Sequence, residues 1–258
     1  MTTHITERLN QIHKLCEKAL ISNDDNVLKQ LKDKCTCSID VCKKTPSEES
    51  LIELLKQYAQ IVLDYTYIDE TKLVDELFPQ DTCKERIHTI FVWIDTIEEL
   101  VKKCLPETSM VDCLGHELVE CINWRKGALL YMLCSTINGD SNREDQINDE
   151  FYMNVKQGIE YLQQMLTGRT NTSEWEGDQD AVNLVNMGIY SDTHLLSMMY
   201  AGEMCYWLCN KPGQSTSDFN PKVIGQDLLS KYIACAKLPV MYGWSTDKAE
   251  EFVKVMSS

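Results

Sequence analysis

The chain has 258 residues, a hydrophobic fraction of 43%, a charged fraction of 25% and a formal net charge of −15. Length and apolar content suffice for a single buried core, so one domain is expected. No apolar run reaches the ~18 residues of a membrane span. The charge disfavours nucleic acid and anionic membrane as partners and favours basic or neutral protein surfaces.

Residues 1–44 hold eight Lys/Arg against six Asp/Glu, and the remainder holds 17 against 34. The stretch MTTHITERLNQIHKLC lacks a signal-peptide core, and a soluble, cytosolic protein is expected. Ile5, Leu9, Ile12, Cys16 and Leu20 share one face of an amphipathic helix over 3–21. Asp24 or Asp25 caps a second, shorter helix carrying Val27, Leu28 and Leu31. Residues 35–45, CTCSIDVCKKT, read as a connector. Cys35, Cys37 and Cys42 invite zinc, but they form no Cys-x2-Cys pair and lack a fourth ligand, so no metal is expected.

Thr45-Pro46-Ser47-Glu48 marks a helix start, with Thr45 as cap and Pro46 in the first turn. Leu51, Leu54, Leu55, Tyr58, Ile61, Val62 and Tyr65 keep helical period from there. DETKLVDELFP over 69–79 reads as an acidic connector that Pro79 closes. Thr82 opens the next helix, through Ile87, Ile90, Ile94, Ile97 and Val101 to Pro106. Thr108 or Ser109 opens a long one through Leu114, Leu118, Ile122, Leu129 and Leu133, ending near Asn138-Gly139.

Residues 138–146 read as a polar loop. A helix with Phe151, Val155, Ile159, Leu162 and Leu166 follows, closed by Gly168. Loops are expected at 169–179 and 210–219. Between them, after a short helix from Ala181 to Met187, lies GIYSDTHLLSMMYAGEMCYW over 188–207. Gly188 ends one pattern, Ser191-Asp192 offers capping acceptors, and the following residues are apolar on more than one side. Ala201 and Gly202 leave room for a close neighbour. This is expected to be a central, deeply buried helix. Asn220-Pro221 starts another helix, through Ile224, Leu228 and Ile233 to Pro239, and a last one spans about 246–256.

No stretch alternates as a strand does. The chain reads as all-α, with about nine or ten helices in antiparallel pairs. GALLYMLC with GIEYLQQML, and SMMYAGEMCYW with IGQDLLSKYIACA, repeat at about 30 residues, close to the tetratricopeptide period.

Twelve cysteines do not make a disulfide scaffold in a chain of this length. Cys16, Cys104, Cys121, Cys134, Cys205 and Cys235 fall at helical core positions and read as reduced thiols. The histidines are scattered. His194 beside Ser191 and Asp192 has the residue types of a triad, but all three lie within one helical turn and serve capping. No phosphate-loop, dinucleotide or nucleophile-elbow motif is present, and neither a cofactor nor a small-molecule substrate is expected.

Two places pair charge with apolar surface. Asp69, Glu70, Asp75 and Glu76 place carboxylates around an apolar strip of Leu73, Val74, Leu77 and Phe78, suited to docking on a protein or to pinning a loop to the core. Trp124, Arg125 and Lys126 interrupt a buried helix. One reading makes Trp124 a core residue with Arg125 paired to Glu120 or Glu203; the other makes the group a partner surface, since Trp and Arg dominate interface hot spots. An acidic helical scaffold or a phosphopeptide-binding module remains an alternative, though only Arg125 and Lys126 offer a cationic pocket.

YAQIVLDYTYIDETKLVDELFP (58–79), GHELVECINWRKGALLYMLC (115–134) and GIYSDTHLLSMMYAGEMCYW (188–207) together resemble the Rab-interacting subunit of the Mon–Ccz guanine-nucleotide exchange complex. The dense likeness lies within 45–258, and the chain departs from the family in the N-terminal 45 residues and the three loops. The resemblance implies a non-enzymatic adaptor that binds the late-endosomal Rab GTPase of the seventh class, preferring its GDP form, and the Mon–Ccz exchange factor. It further implies support of Rab stability and of recruitment to mitochondria in mitophagy, without insertion into a membrane.

Overall fold

The computed structural model describes residues 2–21, 25–43, 47–168, 178–209 and 219–258. Among these the regular structure is all helical: eleven α-helices and two 3-10 turns. They gather into two compact units, Met1–Ile122 and Asn123–Ser258, and the division falls within α6 (His116–Gly139).

In the first unit α1 (Thr2–Leu20) buries Ile5, Leu9, Ile12 and Cys16 against α2 (Asn26–Cys42), as its spacing predicts. Asp25 caps α2 by accepting from the Val27 backbone N–H at 2.7 Å. This helix is not short. It runs through the expected cysteine connector to Cys42, with Leu28, Leu31, Cys35, Ser38 and Cys42 buried. Those positions repeat every three and four residues, one stripe of an amphipathic helix. Small thiols and a hydroxyl hold its second half where large aliphatics hold the first. Cys35 and Cys42 face inward while Cys37 is exposed, so the three thiols do not converge.

Helix α3 (Glu48–Asp75) is longer than its sequence suggests at its C-terminal end. Ser47 caps it by accepting from the Ser50 N–H. The expected start at Thr45 and Pro46 lies outside the described residues. At the other end, the expected acidic connector is helical through Asp75, because the buried stripe continues through Thr66, Glu70 and Leu73. Helix α4 (Cys83–Cys104) packs along α3, and the Tyr58 hydroxyl meets Thr96 Oγ1 at 2.6 Å across that contact. Ser109 opens only the short α5 (Met110–Leu114), since Gly115 at φ +83° breaks the helix before α6 begins.

In the second unit the expected loop at 138–146 contains a 3-10 turn, Ser141–Gln146, with Arg143 buried. Asn148 caps α7 (Asp149–Thr167), and α8 (Asp178–Asn186) follows. Asn220 accepts from two backbone N–H groups ahead of α10 (Pro221–Ala236), and α11 (Asp247–Ser257) is the last helix. The expected loops at 169–179 and 210–219 lie largely outside the described residues.

Helix α9 (Asp192–Cys209) is the centre of this unit. Leu195, Met198, Ala201, Met204, Cys205 and Leu208 are all 0% exposed, and α7, α10 and α11 pack around it. Its start uses a reciprocal cap: the Ser191 carbonyl accepts from the His194 N–H, and His194 Nδ1 accepts from the Ser191 N–H at 3.1 Å. Gly202 admits α10 closely, since a Cβ there would lie 2.4 Å from Leu229 Cγ.

Two outcomes follow from this packing. Gly202→Ala gains about 1 kcal/mol of helix propensity, yet overpacking a buried leucine costs typically about 1–3 kcal/mol. A lower melting temperature is expected for it, but not for Gly139→Ala, where an added Cβ meets nothing within 4 Å.

The second outcome concerns alkaline pH. Burial pushes the Cys16 thiol up to about 11, the Cys35 thiol up to about 12 and the Tyr58 phenol up to about 12. Unfolding lets these groups ionise near their ordinary values, so the unfolded state binds fewer protons above pH ~8.5. Their contribution is present below that pH and is lost as pH rises towards 12. Thermal melts in reductant should show a falling midpoint across this window.

Candidate functional site

The last turns of α3 form the more exposed of the two charged places, and their geometry rests on one helix end. The Phe78 N–H donates to the Leu73 carbonyl at 2.9 Å and the Leu77 N–H to the Val74 carbonyl at 3.0 Å. These paired bonds are a Schellman motif, which requires a left-handed residue just past the helix and usually finds glycine. Here Leu77 and Phe78 take φ of +53° and +51°. A left-handed conformation costs an L-residue roughly 1–2 kcal/mol. Full burial of Phe78 offsets that, at about 1.5–3 kcal/mol for such a side chain. Leu77 is 68% exposed, and burial does little for it.

Arg86 of α4 clamps this end. Its Nη2 lies 2.7 Å from Asp69 Oδ1 and its Nη1 lies 2.5 Å from Glu76 Oε2. The bond to Asp69 raises the guanidinium pKa; partial burial opposes this, and Glu76 adds to the rise. Asp69 also lines a cleft of about 310 Å³ in the first unit, with Leu15, Leu28, Tyr65, Lys72 and Trp93 among its walls. The Tyr65 and Trp93 rings meet edge to face at 5.5 Å. The walls are mainly apolar, with one carboxylate and one ammonium, an arrangement suited to holding an apolar group. Among the described residues no cluster of three His, Cys, Asp or Glu is placed to hold a metal ion.

Of the expected residues in this stretch, Asp75 is exposed, Asp69 is half-exposed and engaged by Arg86, and Leu73 and Phe78 are 0% and 1% exposed. The last two therefore present no apolar strip to a partner. They are the buried pair that commonly accompanies a Schellman end. Leu77, the member of the expected strip that stays exposed, carries the display, and Arg86, which the sequence does not single out, carries the clamp. No glycine marks the turn; Pro79 shortly beyond the helix is its only sequence signal.

Trp124, Arg125 and Lys126 lie in the second unit. Lys126 is 7% exposed, with its ammonium 5.0 Å from the Tyr161 ring centroid, so it offers little to a phosphopeptide. Trp124 and Arg125 are half-buried. Trp124 begins a ladder of rings: Trp124 on Tyr200 at 5.8 Å, Tyr200 on Tyr131 at 3.8 Å, and Tyr131 on Trp207 at 5.8 Å. Buried Glu203 accepts from the Tyr131 hydroxyl at 2.9 Å and pairs with Lys248 at 2.6 Å. Burial first, then the Glu203 charge, pushes the Tyr131 phenol far up. Trp124 stacks within this ladder yet stays half-buried, and no described helix is long and apolar enough to cross a membrane.

The comparisons with known proteins agree with one another. A family model described as "RAB7A-interacting MON1-CCZ1 complex subunit 1" matches residues 27–257, a span that takes in α2 from Val27 onward and so reaches into the N-terminal 45 residues expected to depart from the family. A relative of that name from Danio rerio is 35% identical over 219 residues, covering 80% of this chain and 79% of the relative. One from Homo sapiens is 34% identical over 227 residues, covering 78% and 76%. No solved structure matches. The chain belongs to the RAB7A-interacting MON1-CCZ1 complex subunit 1 family.

Proposed function

We propose that this chain is a non-enzymatic adaptor that binds the late-endosomal Rab GTPase, RAB7A in the name its relatives carry, together with the MON1-CCZ1 complex. The observation that carries this reading is the family match across 27–257, with relatives at 32–35% identity. The all-helical fold and the net charge of −15 support a protein-binding role over nucleic-acid or anionic-membrane contact. The finer reading is that the GDP form of the Rab is preferred, and that binding sustains Rab stability and its recruitment to mitochondria in mitophagy. The protein works from the cytosol and reaches mitochondria or late endosomes through these partners. Asp75, Asp69 and the half-buried Trp124 and Arg125 belong to the contact surfaces in this reading.

The test is direct binding of the purified chain to purified RAB7A, loaded with GDP or a non-hydrolysable GTP analogue, and to purified MON1-CCZ1. Binding to both proteins, tighter to the GDP-loaded Rab, is expected. Equal affinity for the two nucleotide forms removes the GDP preference alone. Failure to bind either protein overturns the adaptor reading.

A further inference from the structure

At the end of α3 two left-handed residues share one turn: burial offsets the cost for Phe78, whereas Leu77 takes the same conformation with its side chain largely in water. A glycine at position 77 would satisfy the same two hydrogen bonds, Leu77 to Val74 and Phe78 to Leu73, without the left-handed penalty. Instead the position carries a large aliphatic side chain that is 68% exposed. A residue held in a sparsely populated conformation persists where its surroundings over-determine it, and such residues gather at sites of contact with ligands. The surroundings here do over-determine it. Phe78 and Leu73 are buried beneath the turn, and Arg86 ties Asp69 and Glu76 together across it. The turn is thus rigid on its inner side and shows leucine on its outer side.

We infer that Leu77 is the apolar anchor of a protein-docking surface, and that its occupant is a folded partner presenting an apolar pocket rimmed by Lys or Arg. Charge selects that occupant. From Asp69 to Arg86 the chain holds six carboxylates against three cations, and Arg86 is spent on Asp69 and Glu76. Asp75, Asp81 and Glu85 are exposed around the turn in sequence, with Lys72 and Lys84 also exposed, so the stretch keeps an excess of negative charge. A second copy of this chain, at −15, or an anionic membrane would meet like charge here. A basic rim would meet its complement, and the leucine would enter the pocket it surrounds. Pre-formation of the turn lowers the ordering cost of binding, since the anchor is already held out.

The inference rests on the adaptor reading for its partner. The experiment compares wild type with Leu77→Gly and Asp75→Lys, using purified RAB7A and purified MON1-CCZ1 as probes. Leu77→Gly is expected to melt no lower than wild type, because glycine suits the left-handed position, yet to lose at least about tenfold in affinity for one of the two probes. Asp75→Lys is expected to slow association with that same probe at low salt, with the difference shrinking at high salt. Undiminished affinity of Leu77→Gly for both probes overturns the docking surface while leaving the adaptor reading intact. A marked drop in its melting temperature also overturns it, since Leu77 would then be serving the fold. Wild type that binds neither probe removes the adaptor reading and this surface with it.

Discussion

A helix that is apolar on nearly every side cannot face water, and α9 imposes that constraint on the second unit. Its buried residues do not form a stripe; they include consecutive positions from Ala201 to Cys205. Each face then needs its own neighbour, and α7, α10 and α11 supply them. The chemistry of the faces decides how close each neighbour comes. Gly202 lets Leu229 of α10 approach the backbone, and Gly158 of α7 leaves room for Met204. One carboxylate, Glu203, lies within this apolar surface at 6% exposure. Burying it unpaired would cost several kcal/mol, on the order of 3–5. The Tyr131 hydroxyl and the Lys248 ammonium occupy its two oxygens. The ring ladder from Trp124 to Trp207 passes through that same tyrosine, so the polar contact and the aromatic stacking fix each other's geometry.

What the sequence made legible is what local rules govern. The caps at Asp25 and Asn220, the break at Gly188 and the uniform apolar character of α9 rest on residues within one turn of one another. Boundaries failed where the buried stripe changed chemistry without changing period. In α2 the stripe passes from leucines to Cys35, Ser38 and Cys42. In α3 it passes from leucines and valine to Thr66 and Glu70 before returning at Leu73. A reader following hydrophobicity sees a connector in both places, whereas the spacing of three and four residues never breaks. Gly115 is the opposite case. An apolar pattern runs across it without interruption, yet its φ of +83° separates α5 from α6.

The candidate site divides along the same line. Carboxylates beside Leu73 and Phe78 looked like a charged rim around an apolar strip, because sequence alone gives no direction to a side chain near a helix end. The left-handed turn sends Phe78 inward and leaves Leu77 outside, a reversal that no glycine or asparagine announces. The partner of Asp69 was equally hidden, since Arg86 is separated from it by the whole turn and gains meaning only when α4 packs back along α3. The Trp124 stretch was ambiguous between packing and contact. Stacking of Trp124 on Tyr200, and of the Lys126 ammonium over Tyr161, shows packing in a helix whose flanking cation remains half-buried.

The charge of the chain can be placed more narrowly than its sum suggests. Among the described residues the buried Asp, Glu, Lys and Arg side chains are Glu70, Glu120 and Glu203 against Lys126, Arg143 and Lys231. Three carboxylates and three cations cancel in formal charge, so the formal surplus of −15 is carried by residues outside this set. An excess of that size destabilises a compact state modestly through self-repulsion, and it also keeps copies of the chain apart. At physiological ionic strength its reach is about one Debye length, near 8 Å. The surface charge therefore selects among partners only at close approach. Apolar contact must supply the holding, because exposed ion pairs are individually worth at most about 1 kcal/mol. A surface built on these terms needs few apolar anchors, each set among carboxylates and held rigidly enough that binding does not have to order it.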